Sequence, residues 1–170
     1  NLLDWRRVMD NLMIQAEFRG LNRSVIRERG MELLDMVGLA GYENRYPYEL
    51  SGGMRQRVSI CRALVHDPPL LMMDEPFGAL DALTREQMQV DLLAMWQETK
   101  KTVLFVTHSI SEAVFLSDRI IVMTPRPGKV REIIDIDISR PRDLNVRDTG
   151  EFGAIVHRIR LLFQEMGVIH

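Results

Sequence analysis

Three short apolar runs constrain the fold of this 170-residue chain more than any other feature. They cover residues 70–73, 103–106 and 120–123, and none of them alternates with polar side chains. Runs of this length and composition are typical of strands that are buried on both faces of a parallel sheet. Helical patterns over residues 82–100 and 111–116 separate the three runs. This order of strands and helices predicts an α/β fold with right-handed crossovers.

Amphipathic patterns predict two helices before this core. The first covers residues 6–19 and ends at Gly20, because glycine readily adopts the left-handed conformation that closes a helix. The second is expected to begin at an N-cap, Ser24, and to end at Gly38. Residues 40–49 have no clear period, so we expect a loop there.

Two more helices and an edge strand follow from the same kind of pattern. One helix is predicted over residues 53–66, with Cys61 on its apolar face, and a last one over residues 152–166. Residues 134–138 alternate isoleucine with aspartate, which predicts an edge strand with one solvated face.

Charge and composition narrow the class of partner. The chain has 22 basic and 24 acidic residues, so it lacks the excess of positive charge that is typical of nucleic-acid binding. No apolar stretch approaches the roughly 20 residues that cross a bilayer. The single cysteine excludes an internal disulfide and fits a reducing compartment. The function must therefore be inferred from motifs.

The first motif is residues 50–57, which read LSGGMRQR and stand at a loop-to-helix junction. At the start of a helix, unpaired N–H groups and the helix dipole favour a phosphate, and glycines allow it to approach closely. Taken alone, Ser51-Gly52-Gly53 is more often a flexible turn that caps a helix. Its place before a helix and an apolar strand favours the phosphate site.

The second and third motifs follow predicted strands. The run 70–73 ends in Asp74-Glu75-Pro76, where one carboxylate can organise Mg²⁺ and the other can orient a water. A strand-end Asp-Glu can also be a helix cap or a solvated pair. His108 follows the next run, at the carboxyl end where α/β sheets assemble their sites. By itself it would be an ordinary polar loop residue.

In this order and spacing, the motifs resemble the ATP-binding subunits of ABC transporters. Residues 50–57 match the family's signature motif, and LLMMDEP at 70–76 matches its Walker B motif. The resemblance runs through essentially the whole chain. It implies a P-loop NTPase fold, which is a three-layer α/β core with a parallel sheet plus a helical subdomain, and it implies ATP and Mg²⁺ as cofactors.

The resemblance also implies roles for individual residues. Asp74 would bind Mg²⁺ through water, Glu75 would be the base or polariser for the attacking water, and His108 would contact the γ-phosphate. The remaining nucleotide-binding candidates are Leu50, Ser51, Gly52, Gly53, Gln56 and Asp81. Asp81 belongs to the family's D-loop at the dimer seam, and it could equally cap the helix that follows. Many relatives have serine in place of Gly78 and aspartate in place of Ser109.

The resemblance further predicts how the chain is organised. Residues 5–49 would form the helical subdomain, 50–142 the core with the motifs, and 143–170 a C-terminal helix. The exposed face of residues 5–49 is a candidate docking surface, although Trp5 and Tyr48 are each expected to pack within the subdomain. No G-x-x-x-x-G-K-[ST] occurs in the 170 residues, so we expect an N-terminal truncation that leaves out the Walker A loop and the first strands. These residues alone are expected to have negligible ATPase activity.

The function that the resemblance implies is to energise an importer as a head-to-tail homodimer. Residues 66–88 and 123–130, with Arg140-Pro141-Arg142, resemble importers of the nitrate, sulfonate and taurine group. Its partners would be a second ATP-binding subunit, transmembrane permease subunits and, indirectly, a solute-binding protein, at the cytoplasmic face of a bacterial inner membrane. Nucleic acid is not expected. The alternatives are an ABC ATPase that moves no solute and a truncated, non-catalytic fragment.

Overall fold

The computed structural model describes residues 2–169. The chain divides after Leu104 into two compact units, and buried apolar side chains lie in both. The first unit contains α1 Val8–Arg19, α2 Arg23–Met36, α3 Gly52–Leu64, β1 Leu70–Asp74 and α4 Ala82–Thr99. Strand β2 Thr102–Val106 runs across the boundary, and the second unit continues with α5 Ile110–Leu116, β3 Arg119–Met123, β4 Val130–Asp135 and α6 Gly150–Glu165. Single 3₁₀ turns occur at Pro47–Glu49 and Leu144–Asp148.

Both early helices are confirmed, but the start of α2 differs from the prediction. Gly20 ends α1 with a φ of 63°, and Gly38 follows α2 with a φ of 70°. The N-cap of α2 is Asn22 rather than Ser24. The Asn22 Oδ1 accepts hydrogen bonds from the Ser24 backbone N–H at 2.9 Å and from the Ser24 hydroxyl at 2.7 Å. Both residue types can cap a helix, and Asn22 is the cap here because its side-chain carbonyl reaches a free N–H of the first turn.

The helix after the signature residues covers Gly52–Leu64, so it begins one residue before its predicted start and ends two residues before its predicted end. Ser51 is the N-cap of α3, and its Oγ accepts a hydrogen bond from the Met54 N–H at 3.3 Å. Val58 and Cys61 are fully buried on the inner face of α3. Burial raises the pKa of the Cys61 thiol to about 12. This cysteine is therefore a packing residue, because nucleophilic cysteines need an accessible thiolate.

The first two predicted strands form one sheet, whereas the third belongs to another. Strands β1 and β2, joined through α4, form a two-stranded parallel sheet. The prediction that the run 120–123 extends this sheet is wrong for the described residues, because β3 pairs antiparallel with β4. The connection between β3 and β4 is only six residues long, closed by a Thr124 N–H to Lys129 C=O bond of 2.8 Å. A connection this short allows only an antiparallel pair.

The expectation of strands buried on both faces is also wrong within residues 2–169. In β1, Leu71 and Met73 are buried, while Leu70 and Met72 are exposed. The same one-sided pattern occurs in β3. An uninterrupted apolar run cannot reveal this, since it places an apolar side chain on either face whether or not a second layer covers it.

The edge strand and the last helix are confirmed with shifted ends. The strand covers Val130–Asp135 instead of 134–138, because the hairpin register fixes Ile121 opposite Ile133. The predicted alternation nevertheless continues past the end of the strand. Ile136 and Ile138 are buried, while Asp135 and Asp137 are exposed to solvent. Helix α6 begins after the N-cap Thr149, whose Oγ1 accepts from the Phe152 N–H at 3.3 Å. None of the helices within residues 2–169 combines the length and the apolar character needed to cross a membrane.

Candidate functional site

The two glycines at the start of α3 are in different surroundings. Gly52 is exposed, and a Cβ added there would lie 3.6 Å from the Leu80 Cδ2, an ordinary contact. Gly53 is buried, and a Cβ added there would lie only 2.8 Å from the Thr84 Cγ2. Gly53 is therefore required for the packing of α3 against the start of α4. Gly52 has no such packing reason, and it leaves the helix N-terminus open to a ligand.

Asp81 is the N-cap of α4, so the capping role considered for it is confirmed. Its Oδ1 accepts a hydrogen bond from the Thr84 N–H at 3.0 Å. Hydrogen bonds from the Thr84 side chain and then from its backbone lower the pKa of the Asp81 carboxyl. Thr84 also contacts the position of Gly53, so the signature segment and the start of α4 adjoin. A role of Asp81 at a dimer seam stays a prediction.

Leu50 and Gln56, the other signature candidates, are placed differently. The Leu50 side chain is only 5% exposed, so in this structure it packs in the core. Gln56 is half-buried on α3 and lines a groove between α3 and the end of β1. Of this pair, only Gln56 presents its side chain where a ligand could bind.

The groove brings the Walker B carboxylates and Gln56 together. It is lined by Gln56, Ser59, Ile60, Ala63, Leu71, Met72, Met73, Asp74, Glu75, Pro76 and Ala79. The sequence-based prediction missed Ser59 and Ala63. Ser59 and Ala63 come three and seven residues after Gln56, which places all three on the same side of a helix. The helical period could therefore have predicted that they line the groove. Ser51, Gly52 and Asp81 are not among the lining residues.

Glu75 has a strained backbone at the point where β1 ends. Its φ is 43°, a conformation that residues other than glycine rarely adopt. Such strain costs on the order of 1–3 kcal/mol and is concentrated at functional sites. The Gly78 N–H donates to the Glu75 carbonyl at 3.2 Å, which closes the turn. A Cβ at Gly78 would lie 3.5 Å from that carbonyl oxygen, so the serine of many relatives would also fit here.

The donor set at the end of β1 suits Mg²⁺. Asp74 and Glu75 are both exposed, and carboxylate oxygens are the ligands that this hard cation prefers. Within residues 2–169, no three histidine, cysteine, aspartate or glutamate side chains come together as a complete metal site. Two carboxylates can be enough for Mg²⁺, because this ion usually keeps several waters and binds through one or two carboxylates plus substrate phosphates.

His108 lies in the second unit, in the turn between β2 and α5. The residues on either side of it form hydrogen bonds that close this turn. The Thr107 Oγ1 accepts a hydrogen bond from the Ser109 N–H at 3.0 Å, and Ser109 is the N-cap of α5. The Ser109 Oγ accepts from the Glu112 N–H at 3.4 Å. Many relatives have aspartate at the position of Ser109. Both serine and aspartate are good N-capping residues, so the cap is retained in this chain. The His108 side chain itself is exposed.

The other histidines differ in exposure. His157 is exposed, and His170 lies outside the described residues. His66 is half-buried, and its Nδ1 is shielded from solvent and has no hydrogen-bond partner among residues 2–169. Burial, followed by the charge of Arg19, lowers the pKa of His66.

Trp5 and Tyr48 are not packing residues, which corrects the prediction for both. Trp5 is 74% exposed and Tyr48 is 69% exposed. The Tyr48 ring stacks on Tyr46 with centroids 5.3 Å apart, and the Arg7 guanidinium lies 5.7 Å from the centre of the Tyr46 ring. We call Trp5, Arg7, Tyr46 and Tyr48 the aromatic surface.

Known proteins resemble the chain over most of its length. Residues 2–78 match the ABC transporter family. An uncharacterized ABC transporter ATP-binding protein of Methanocaldococcus jannaschii is 53% identical over 142 residues, which are 84% of this chain and 53% of that protein. A taurine import ATP-binding protein of Rhizobium johnstonii is 53% identical over 140 residues, covering 82% of this chain and 53% of the relative. The corresponding Escherichia coli O157:H7 protein is 49% identical over 139 residues, with coverage of 82% and 54%. The chain thus spans about half the length of the curated relatives it matches.

Solved structures agree with the sequence relatives. A dimeric ABC transporter cassette superimposes with a TM-score of 0.64 at 34% identity, covering 82% of this chain and 60% of that one. A post-hydrolysis state of a cassette bound to ADP and phosphate gives a TM-score of 0.63 at 33% identity, with the same coverage. These structures place the fold among the ABC ATPase cassettes. With the family match, they establish that this chain belongs to the ABC transporter family of ATP-binding proteins.

Proposed function

We propose that the protein containing this chain binds and hydrolyses ATP as the energising subunit of an ABC-type importer. The observation that carries the proposal is the end of β1, where the strained Glu75 and the adjacent Asp74 share a groove with Gln56. Two accessible carboxylates at a strand's carboxyl end are the groups that metal-assisted phosphoryl transfer requires.

The two carboxylates take different roles. Asp74 would hold Mg²⁺ through a bound water, and the ion would neutralise charge on the phosphates. Glu75 accepts a hydrogen bond from the attacking water and orients it toward the γ-phosphate. His108 contacts that phosphate from the turn after β2. The strained Glu75 backbone supports this assignment, because a conformation that costs free energy persists where it positions a reactive group.

The signature residues act on a nucleotide that a second copy holds. Ser51 and Gly52 are exposed at the N-terminal end of α3 and do not line the groove of Asp74 and Glu75. This separation supports a head-to-tail dimer, in which each copy covers the ATP of the other. One of the similar structures is described as a dimeric cassette. Asp81, next to this segment, would lie at the dimer seam.

The proposed solute class is supported by the names of the relatives and by the resemblance of residues 66–88 and 123–130. Several of the relatives are named taurine import ATP-binding proteins. We therefore propose a small anion or organosulfur solute of the nitrate, sulfonate and taurine type. The ATP-binding subunit would act at the cytoplasmic face of the cell membrane, against transmembrane permease subunits that receive the solute from a binding protein. The exposed aromatic surface is the proposed docking site for the permease.

The replacement Glu75→Gln tests the catalytic assignment. We expect ATP binding by the complete protein to persist while the hydrolysis rate falls roughly 100-fold or more, because an amide cannot accept the water's proton. Steady-state phosphate release and binding of a fluorescent ATP analogue measure the two effects. The matched control is Glu98→Gln, an exposed position on α4 of the same unit, which should hydrolyse ATP at the normal rate. Normal turnover by Glu75→Gln would refute the role of Glu75.

A further inference from the structure

We propose that Thr107 and Glu112 are positioning residues for His108. This inference rests on the proposed function, in which the His108 imidazole contacts the γ-phosphate. The Thr107 Oγ1 donates a hydrogen bond to the Glu112 Oε2 at 2.7 Å. The same oxygen accepts a hydrogen bond from the Ser109 N–H at 3.0 Å. One hydroxyl therefore connects the residue before His108 to the residue after it.

The carboxylate behind this hydroxyl is buried. Glu112 is 7% exposed in the first turn of α5. A carboxylate taken out of water must be hydrogen-bonded, because burial of a charge without a partner is strongly unfavourable. The Thr107 hydroxyl supplies a short bond, and an acceptor as strong as a carboxylate fixes which way that hydroxyl points. With its proton on Glu112, the hydroxyl presents a lone pair to Ser109.

The arrangement goes beyond what the start of α5 needs. Ser109 by itself caps the helix, since its Oγ accepts from the Glu112 N–H. The Thr107–Glu112 bond instead reaches back across His108 to the end of β2. The result is a closed turn in which both neighbours of an exposed histidine are held, while the imidazole itself stays accessible. Catalytic groups must be held within about 0.5 Å of their working geometry, and loops achieve this only with supporting hydrogen bonds.

Paired substitutions at each position separate the hydrogen bonds from side-chain volume. Thr107→Val removes the hydroxyl at nearly constant shape, whereas Thr107→Ser keeps it. Glu112→Leu removes the acceptor, whereas Glu112→Gln keeps an oxygen that can accept from Thr107. In the complete protein, we expect Thr107→Val and Glu112→Leu to lower kcat roughly 10- to 100-fold, with the KM for ATP within about twofold, because misplacement of a catalytic group has this effect. Thr107→Ser and Glu112→Gln should keep at least about half of kcat.

A second readout does not depend on catalysis. In protein labelled at the histidine rings, we expect Thr107→Val to shift or broaden the His108 ring resonance and to leave that of His157 unchanged. Thr107→Ser should leave both unchanged. If Thr107 had a purely structural role, its replacement would lower the unfolding temperature without a change confined to the His108 resonance.

The outcomes separate the inference from the function on which it rests. If the wild type hydrolyses ATP, His108→Ala abolishes hydrolysis and Thr107→Val has normal kcat, the inference is overturned and the proposed function stands. Equal losses in Thr107→Val and Thr107→Ser would also overturn it, since the hydroxyl would not be the group that matters. A wild type without ATPase activity would overturn the proposed function, and the histidine resonances would still decide whether Thr107 positions His108.

Discussion

At the scale of single residues, the structure gives one sequence motif two physical roles. Gly52 and Gly53 look equivalent in the sequence, and both were predicted to bind nucleotide. In the structure, Gly53 is buried against Thr84, whereas Gly52 faces solvent. Packing explains why position 53 needs a glycine. At position 52, no packing contact of this kind explains the absence of a side chain.

Alanine at each position should separate these two roles. We expect Gly53→Ala to lower the free energy of unfolding by about 1–3 kcal/mol, because its Cβ would overlap the short, stiff side chain of Thr84. Gly52→Ala should leave stability unchanged or slightly raised, since alanine favours a helix more than glycine does. It should nevertheless lower ATP hydrolysis roughly tenfold, because a methyl group keeps the phosphate from approaching.

Urea unfolding and steady-state ATPase assays of the complete protein measure these effects. A Gly52→Ala variant with normal hydrolysis would contradict contact between this glycine and a nucleotide. A Gly53→Ala variant as stable as the wild type would contradict the packing explanation.

At the scale of elements, the sequence indicated the caps of α3 and α4 but not that of α2, which is Asn22 and not Ser24. Ser51 and Asp81 begin α3 and α4 as their sequence positions indicate, because a capping residue acts on N–H groups two or three residues away. Strand partners were harder to predict. The sequence contains three similar apolar runs, but β3 pairs with the next strand, β4, to which a six-residue connection joins it, and not with another of these runs.

The second unit depends on an arginine, Arg142, whose burial the sequence does not indicate. Arg142 is 6% exposed, and its guanidinium donates hydrogen bonds of 2.8–3.2 Å to the backbone carbonyls of Val114, Phe115, Ser117 and Ile138. Burial, followed by the nearby charge of Arg140, lowers the pKa of this guanidinium, which remains charged. The interaction connects the end of α5 with the segment after β4.

Replacing this arginine should destabilise the protein strongly. We expect Arg142→Met to lower the free energy of unfolding by about 3–5 kcal/mol, because several buried carbonyls lose their partner at once. Arg142→Lys should recover only part of the loss, since an ammonium cannot reproduce the planar fork. The control is Arg119→Met, which removes an exposed ion pair with Asp135 and should change stability far less. Denaturant unfolding measures all three variants, and equal losses at positions 142 and 119 would contradict the prediction.

At the scale of the whole molecule, the candidate residues fall in both compact units. The signature residues, Asp74, Glu75 and Asp81 belong to the first unit, and His108 belongs to the second. The groove of Asp74 and Glu75 does not include Ser51 or Gly52. If the signature acts on the ATP of a second copy, a change at Ser51 should affect association rather than the chemistry of each copy's own carboxylates.

The replacement Ser51→Arg tests this consequence. We expect the variant to bind ATP and to lose ATP-dependent dimerisation, because a bulky cation at the exposed start of α3 blocks closure over the partner's nucleotide. Sedimentation of the complete Glu75→Gln protein with ATP, with and without Ser51→Arg, measures it. The control Ala94→Arg adds the same side chain to an exposed position on α4 and should dimerise normally. Dimerisation that is unchanged by Ser51→Arg would count against action on a second copy.

The sequence by itself determined the family, the order of helices and strands and the caps of α3 and α4, because each of these depends on residues that are close together in the chain. It also indicated Asp74, Glu75 and His108, because each lies within two residues of the end of an apolar run. Only the tertiary structure decided which faces of β1 are covered, that β3 pairs with β4, and that Gly53 packs against Thr84. The same holds for the strained backbone of Glu75 and for the hydrogen bonds that hold the turn around His108. These features arise where separate segments or specific backbone angles meet, and such contacts leave no periodic trace in the sequence.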